Sequence, residues 1–523
     1  MRLHSIEIEG FRRHYSTKVQ CSDATFLIGA NNVGKSSILR AIKYLLNDTK
    51  TINTHDYFCI LNENGENRQV SDEVVITGEF RNVPEEAYNW IGFNEHRLFK
   101  YDTFEKDNES GLRFFYRKTY RPDQKSCTIE MKQFKSNKKE IFSECKTIQD
   151  YINNGIDREI FEYLFPNKQD DQNVTELMLR NLEAYGIEGL FNIQQETEWS
   201  ENPGGISGNV SHRLPKFLLI SDDANSEELS GNNGALMETL NELFNDIRNE
   251  SENFIQAQHY LSKLAEELDP NDDKSDFAKL LTDLNRIVGD IFPETSFSAQ
   301  ANLSDADKVI KPNFDVQLGS NINTSIEYQG SGVIRSAIFA MLRYKSIREN
   351  KKKESGKYVR PLLIAFEEPE IYLHPQAAIQ MRDTIYDLAM EPENQIICTT
   401  HSPYMIDLSK NTGQVLNNIF LDTTTIEHNG SETPIELVSS NPFNVSEAFT
   451  NLLNEDQSYV KMLLKIDDNV SRIFFTKNVL IIEGDTEEVV IRETLSRMPE
   501  HLYKEFSYNW EVVKARGKPV IIH

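Results

Sequence analysis

The chain has 523 residues, of which 82 are acidic and 56 basic, giving a formal net charge of −26. A field of that sign repels nucleic acid, so any DNA or RNA binding depends on local basic patches or bound metal ions. The five cysteines are scattered, which argues against a disulfide framework or a structural zinc site. No run of about 18 apolar residues occurs, so we expect a cytoplasmic protein of about two to four domains with no membrane partner.

The stretch 26–37 has the pattern of a buried strand, a glycine loop and the start of a helix. Gly29 to Ser36 reads G-x-x-x-x-G-K-S, a P-loop pattern in which backbone N–H groups and the helix N-terminus bind phosphate. In this pattern Lys35 reaches the β- and γ-phosphates and Ser36 binds Mg²⁺. We predict that the residues binding ATP are Gly29, Ala30, Asn31, Asn32, Val33, Gly34, Lys35, Ser36 and Ser37.

The next part of the chain predicts a β portion and then a helical portion. Strand-like runs at 74–80, 112–116 and 127–131 indicate an antiparallel sheet beside the nucleotide-binding sheet. A basic run, Lys132 to Lys139, either contacts phosphates or forms a solvated hairpin tip, and we favour the tip. From Gly234 to about Phe292 the apolar spacing predicts a helical hairpin with acidic outer faces, which packs on a partner subunit or forms a satellite core.

Two further buried strands supply candidates for the second half of an ATP site. The run 362–366, which can lie beside the P-loop strand, ends in Glu367-Glu368-Pro369-Glu370. Carboxylates at the C-terminal end of such a strand suit Mg²⁺ and the attacking water, so we assign Glu367 to the metal and Glu368 to the water. The run 396–400 ends at His401, which either donates a hydrogen bond to the γ-phosphate or only caps its turn.

A second anion site is predicted where small residues precede a helix that begins near Val333. Its residues are Gln329, Gly330, Ser331 and Gly332. Because the P-loop already holds one nucleotide, we expect this site to serve a nucleotide on another subunit. The protein is therefore expected to form a homodimer or a higher even oligomer.

Together these motifs resemble those of ABC-type ATPases: Walker A at 29–36, signature at 329–332, Walker B with D-loop at 367–375, and switch histidine at 401. The form E-E-P-E-x-x-L-H-P resembles the OLD (overcoming lysogenization defect) family, a relative of RecF and SMC proteins. The resemblance implies an α/β fold, an ABC-type P-loop ATPase head with a mixed sheet flanked by helices. The usual Q-loop sequence is not recognisable, and Asp56 is the candidate for its position. The signature at 329–332 also departs from the common L-S-G-G form.

The C-terminal stretch resembles the first motif of a Toprim domain, the nuclease module of OLD proteins. Val479–Ile482 reads as a buried strand that ends at Glu483, and a helix is predicted from about Val489. Glu483 and Glu487 can converge on one divalent ion, Mg²⁺ with Mn²⁺ as the alternative. The D-x-D aspartates of the family do not occur before His523, so the Toprim domain reads as truncated and its nuclease site as incomplete. We expect a fragment of a longer protein rather than a degenerate nuclease.

The resemblance implies an ATP-controlled, metal-dependent DNA endonuclease of bacterial anti-phage defence, in some relatives paired with a retron reverse transcriptase and its RNA–DNA hybrid. Catalytic roles fall to Lys35, Glu368 and His401 in the ATPase, and to Glu483 and Glu487 in the nuclease. The expected segments are an ATPase N-terminal lobe (1–220), a helical dimerisation insertion (221–300), an ATPase C-terminal lobe (301–465) and a partial Toprim domain (466–523). The alternative is a RecF- or SMC-like ATPase clamp that acts in DNA repair without cutting DNA.

Overall fold

The computed structural model describes residues 1–61, 67–102, 110–221, 235–267, 275–291, 360–445 and 470–514, with short gaps inside these ranges, and parts of 316–344. The chain divides into two compact units, residues 1–223 with 346–523, and residues 224–345. None of the helices within these described stretches has the length and apolar composition to span a membrane.

The described residues form both strands and helices, in an order that mixes runs of strands with groups of helices. The strands are β1 (Arg2–Phe11), β2 (His14–Gln20), β3 (Ala24–Ile28), β4 (Cys59–Leu61), β5 (Asn67–Gln69), β6 (Val74–Arg81), β7 (Phe99–Asp102), β8 (Ser110–Tyr120), β9 (Thr128–Lys138), β10 (Phe191–Glu201), β11 (Lys216–Ile220), β12 (Gln317–Gly319), β13 (Asn323–Ser325), β14 (Leu362–Glu367), β15 (Asn394–Thr399), β16 (Gln414–His428), β17 (Ser431–Asn444), β18 (Asn478–Ile482) and β19 (Trp510–Lys514). The helices are α1 (Lys35–Leu46), α2 (Ile148–Asn153), α3 (Arg158–Leu164), α4 (Glu176–Tyr185), α5 (Ser207–Ser211), α6 (Ala235–Asn249), α7 (Glu252–Glu267), α8 (Asp276–Ile291), α9 (Pro375–Met390), α10 (Asp485–Ser496) and α11 (Glu500–Asn509).

The first unit contains a seven-stranded sheet of order β10-β9-β8-β6-β1-β2, with β7 paired to β8. Every pairing in it is antiparallel, which confirms the predicted antiparallel portion. Burial alternates residue by residue along β6, as expected of a strand with one face on a core.

The basic run does not form a hairpin tip, so that interpretation is wrong. Lys132, Lys135 and Lys138 lie within β9, in register with β10. Lys135 pairs with Glu196 at 2.7 Å, and the Lys138 ammonium donates to the Tyr151 hydroxyl at 3.2 Å. The lysines are thus held by side chains of their own unit, because the strand continues through them before it turns.

The second sheet of the first unit has six strands in the order β11-β14-β15-β3-β16-β17. All its pairings are parallel except β16 with β17. Every residue of β3, β14 and β15 is buried, which explains their unbroken apolar runs. The expectation that the 362–366 strand lies beside the P-loop strand is wrong, because β15 pairs with both and separates them.

Helix α1 lies between the two sheets. Its apolar side chains are buried in one core with residues of both sheets, and they are Ile38, Leu39, Ala41, Ile42, Leu45 and Leu46. Side chains of strand β8 donate hydrogen bonds to the carbonyls at the C-terminal end of α1. The Lys118 ammonium donates to Tyr44 O at 3.1 Å and to Asn47 O at 2.6 Å. The Tyr120 hydroxyl contacts Tyr44 O at 3.0 Å.

The helical part of the second unit differs from the predicted hairpin. The described residues form three helices, α6, α7 and α8, where two were expected. The missed break lies between Asn249 and Glu252, where Ser251 precedes the first residue of α7. Serine is favoured at the residue before a helix because its hydroxyl can accept a hydrogen bond from an N–H of the first turn. The predicted break at 269–273 lies outside the described residues.

The strand β18 is more exposed than predicted. Only Ile482 of its five residues is buried, and Ile481 is 54% exposed. The following helix begins at Asp485 rather than near Val489, and the Glu487 carboxylate in its first turn accepts the Gly484 N–H at 3.1 Å.

Replacing Lys118 with Met should lower stability. The methionine keeps the apolar stem but removes one donor each from the carbonyls of Tyr44 and Asn47, which retain the Tyr120 hydroxyl and the Thr49 N–H. The expected cost is that of lost hydrogen bonds, about 0.5–1.5 kcal/mol each. Thermal unfolding followed by circular dichroism should show a lower midpoint for Lys118→Met, whereas the exposed Lys125→Met should unfold like the natural protein. Equal midpoints for both variants would show that the lysine does not support α1.

Candidate functional site

The loop between β3 and α1 is built around two glycines with left-handed backbone. Gly29 has φ +145° and Gly34 has φ +104°. A side chain at Gly29 would collide with the carbonyl oxygen of Ile419, so the loop passes too close to β16 for any other residue. Gly34 caps α1 without a side chain, and the first turn carries no acidic residue. The first N–H groups of α1 are therefore left for an anion, which fits a nucleotide phosphate.

Lys35 connects this loop to the end of the neighbouring strand. Its ammonium donates to Gly29 O at 3.0 Å and to Ala30 O at 2.8 Å. It also lies 2.8 Å from His401 Nε2, which follows β15. His401 Nε2 lies 3.2 Å from Glu368 Oε1, which follows β14. The structure thus brings together Lys35, His401 and Glu368, three of the residues to which the sequence assigns roles in the ATPase.

The pKa values of this group follow from burial. Burial lowers the pKa of Lys35 to about 8, although Glu368 and Glu370 act in the opposite direction. Burial and the Lys35 charge also lower the pKa of His401. A neutral His401 accepts the Lys35 hydrogen bond. The partners of Lys35 are neutral acceptors, so a phosphate with its negative charge would bind the Lys35 ammonium more strongly than they do.

The carboxylates after β14 are fixed by neighbouring strands. Glu367 is 8% exposed and accepts from the Ser221 hydroxyl at 3.0 Å. Glu368 has φ +42°, and its N–H donates to Thr399 O at 3.1 Å. Positive φ is uncommon for a non-glycine residue, so these contacts hold Glu368 in a strained conformation.

Glu370 joins this turn to the histidine. Its Oε1 accepts from the Thr400 hydroxyl at 2.5 Å and from the His401 N–H at 3.2 Å. Burial raises the pKa of Glu370. A displacement of the carboxylate turn would therefore move the backbone of His401 with it.

The turn between β1 and β2 supplies basic residues that the sequence interpretation missed. Arg13 donates to the Asn32 carbonyl, and the His14 Nε2 lies 3.1 Å from Gly34 O. Arg12 donates to Asp56 Oδ1 at 2.8 Å, and Asp56 also accepts from the Tyr44 hydroxyl. The sequence signal that could have identified them is the run of three basic residues near the N-terminus, between two predicted strands. The Q-loop candidate Asp56 is thus a buried partner of Arg12.

The predicted signature belongs to the second unit. Gln329 is described, and its side-chain amide donates to the Thr324 hydroxyl. Gly330, Ser331 and Gly332 lie outside the described residues. Their assignment to a nucleotide on another subunit stays a prediction.

The two carboxylates of the C-terminal segment lie at the junction of β18 and α10. Glu483 follows the last residue of β18 and is exposed. Glu487 lies in the first turn of α10, and its Oε2 accepts the Gly484 N–H at 3.1 Å. Lys514, at the end of β19, pairs with Asp485 at 2.7 Å and Glu488 at 2.5 Å. Among the described residues, no three His, Cys, Asp or Glu side chains are grouped as a metal site.

The P-loop follows β3, His401 follows its neighbour β15, and the carboxylate turn follows β14. This arrangement defines a P-loop ATPase of mixed α/β fold. The family model described as "AAA ATPase domain" matches residues 1–406, and the model "Overcoming lysogenization defect protein-like, TOPRIM domain" matches residues 474–523. The chain belongs to the AAA ATPase domain family and, with its Toprim domain, to the OLD ATPase–nucleases. The predicted family and fold class are confirmed.

Curated relatives agree with this assignment. The chain is 25% identical over 512 residues to the "Old nuclease" of Escherichia phage P2, which covers 96% of this chain and 71% of the relative. It is 28% identical over 138 residues to "Endonuclease GajA" of Bacillus cereus (strain HuB5-5), which covers 25% of this chain and 19% of that protein.

Solved structures that align with most of this chain include SMC heads, with low TM-scores. One is an SMC head bound to the C-winged helix domain of ScpA, with a TM-score of 0.38 and 12% identity, covering 86% of this chain and all of that one. Another is the SMC head domain from Thermotoga maritima, with a TM-score of 0.28 and 10% identity, covering 84% and 99% of the two chains.

ATP binding should weaken as pH rises above about 8, the pKa of Lys35 without nucleotide. Phosphate keeps the lysine protonated to higher pH, so the bound state holds more protons above that value and the Kd rises by up to about tenfold per pH unit. Calorimetry in buffers of different ionisation enthalpy should detect the proton taken up on binding.

The matched control is Lys35→Arg. A guanidinium stays protonated throughout this range, so whatever affinity the variant has should stay level from about pH 7 to about pH 9. A level Kd and no proton uptake in the natural protein would contradict the assignment of Lys35.

Proposed function

We propose that this OLD-family protein is a metal-dependent DNA endonuclease of anti-phage defence whose Toprim site is controlled by ATP. The observation that carries the ATPase half is the contact of Lys35 with His401 and of His401 with Glu368, both within 3.2 Å. The nuclease half is supported by the Toprim match at 474–523 and by the relatives' names, "Old nuclease" and "Endonuclease GajA".

The roles in ATP hydrolysis follow from position. Lys35 binds the β- and γ-phosphates. Once Lys35 has left His401 Nε2, that nitrogen takes up a proton from solvent and donates to the γ-phosphate. Glu368 orients the attacking water and accepts its proton. Ser36, which is exposed, and Glu367, at the end of β14, would hold Mg²⁺, an ion that neutralises charge on the phosphates when bound.

The Toprim carboxylates have the chemistry of a divalent cation site. Glu483 is exposed at a strand end, and Glu487 lies one helical turn further on. Oxygen donors of this kind suit Mg²⁺ or Mn²⁺. Phosphodiester cleavage with two ions needs more carboxylates than these two, with the ions about 3.5–4 Å apart. We therefore assign Glu483 and Glu487 to part of the nuclease site.

Further proposals concern partners and location. Gln329 to Gly332 would complete the ATP site of a second copy, so we propose a homodimer or a higher even oligomer.

The family resemblance supports a retron reverse transcriptase with its RNA–DNA hybrid as a restraining partner. The free cysteines, Cys21, Cys59, Cys127, Cys145 and Cys398, support a reducing cytoplasm.

Glu368→Gln and Glu483→Gln should separate the two activities. Glu368→Gln removes the proton acceptor and should reduce ATP hydrolysis by about 100-fold or more while nucleotide still binds. Glu483→Gln should retain hydrolysis and lose cleavage of supercoiled and linear DNA. The assays use the full-length protein with Mg²⁺ or Mn²⁺, with and without ATP.

The matched control for the second variant is Glu493→Gln, which alters an exposed residue of α10 paired with Arg497. It should cleave DNA like the natural protein. Undiminished cleavage by both Glu483→Gln and Glu487→Gln would contradict the nuclease assignment and favour the RecF- or SMC-like clamp.

A further inference from the structure

A fully buried histidine contacts the P-loop at Gly34. His14, the first residue of β2, is 0% exposed. Its Nε2 lies 3.1 Å from the carbonyl oxygen of Gly34, and its Nδ1 lies 3.0 Å from the Thr17 hydroxyl. That hydroxyl also contacts the Val438 carbonyl at 2.6 Å. A continuous line of polar contacts therefore runs from the P-loop to β17.

The contact with Gly34 concerns the peptide group that begins α1. A carbonyl oxygen only accepts, so His14 Nε2 carries the proton of this hydrogen bond. The same oxygen accepts the Ile38 N–H at 3.2 Å, the first hydrogen bond within α1. In a trans peptide the C=O and the following N–H point in opposite directions. Holding the Gly34 oxygen toward His14 therefore turns the Lys35 N–H away from β2 and toward the phosphate side of the loop.

The ring and the loop are in close contact, so this orientation is tightly defined. A β-carbon at Gly34 would lie 2.8 Å from His14 Nε2, closer than side-chain carbons approach. Only glycine lets the loop approach the imidazole this closely while keeping φ at +104°.

We propose that His14 is a positioning residue of the ATP site, which orients the Gly34–Lys35 peptide toward the phosphates while Thr17, anchored on Val438, orients the imidazole. The proposal rests on ATP binding at the P-loop and adds a determinant of that binding. His14 itself touches the loop and does not contact the nucleotide.

The protonation of the ring agrees with this geometry. Burial lowers the pKa of His14 to about 4, with the charges of Arg12 and Arg13 adding to the effect and the Gly34 hydrogen bond opposing it. The ring is therefore neutral near pH 7, with its single proton on Nε2. Nδ1 is then an acceptor, so the single proton of the Thr17 hydroxyl lies between Val438 O at 2.6 Å and Nδ1 at 3.0 Å.

The experiment compares three replacements of His14 by ATP affinity, measured by calorimetry with a non-hydrolysable analogue. His14→Gln places a side-chain N–H near the position of Nε2, whereas the shorter His14→Asn reaches only toward Thr17. His14→Leu fills the space without a donor. We expect Asn and Leu to raise the Kd by about tenfold or more and Gln to stay within about threefold of the natural protein.

Controls separate positioning from packing. The exposed His55→Gln should bind like the natural protein, and melting temperatures report folding independently. A packing role predicts that affinity follows melting temperature, with Leu least affected. Thr17→Ser should retain affinity and Thr17→Val should lose part of it, which tests the same contacts without altering His14.

Equal affinities of Gln and Leu, or affinities of all variants equal to that of the natural protein, would overturn the proposal. Failure of the natural protein to bind the analogue would overturn the proposed ATP site as well. Binding by the natural protein with no rescue by Gln would overturn the positioning role alone.

Discussion

The site depends on the parallel pairing of β14, β15 and β3. Glu367 lies opposite Thr399, and Thr399 lies opposite Leu27, so the three strands end at one edge of the sheet. Carboxyl ends of parallel strands place their following residues on the same side. The carboxylate turn, His401 and the P-loop therefore meet, although more than 300 residues separate the P-loop from the other two.

Helix α1 gives this edge its phosphate chemistry, and both sheets hold the helix in place. Its apolar face is buried between them, Lys118 and Tyr120 of β8 satisfy carbonyls at its C-terminal end, and His14 of β2 binds the carbonyl at its start. The antiparallel sheet thus supports the ATP site from both ends of one helix. The antiparallel sheet therefore has a role in the ATP site: it packs on the face of α1 opposite the sheet that carries the P-loop and holds the helix in position.

Local patterns predicted much of the site, and long-range pairing accounts for what they missed. The P-loop pattern determines its own strand, loop and helix, and apolar runs identified β14 and β15. No local signal says which of these strands pairs with β3, so the expected neighbour was wrong. His14 and Arg13 reach the loop from another sheet, and the exposure of β18 depends on what packs against it. The contact of Glu368 with His401 likewise depends on strand order.

A structure of the protein with Mg²⁺ and a non-hydrolysable ATP analogue tests the central claim most directly. The account predicts that the Lys35 ammonium leaves Gly29 O, Ala30 O and His401 to bind the β- and γ-phosphates, with Glu368 and His401 facing the terminal phosphate. A P-loop that remains empty, or a bound analogue with Lys35 still on His401, would contradict it.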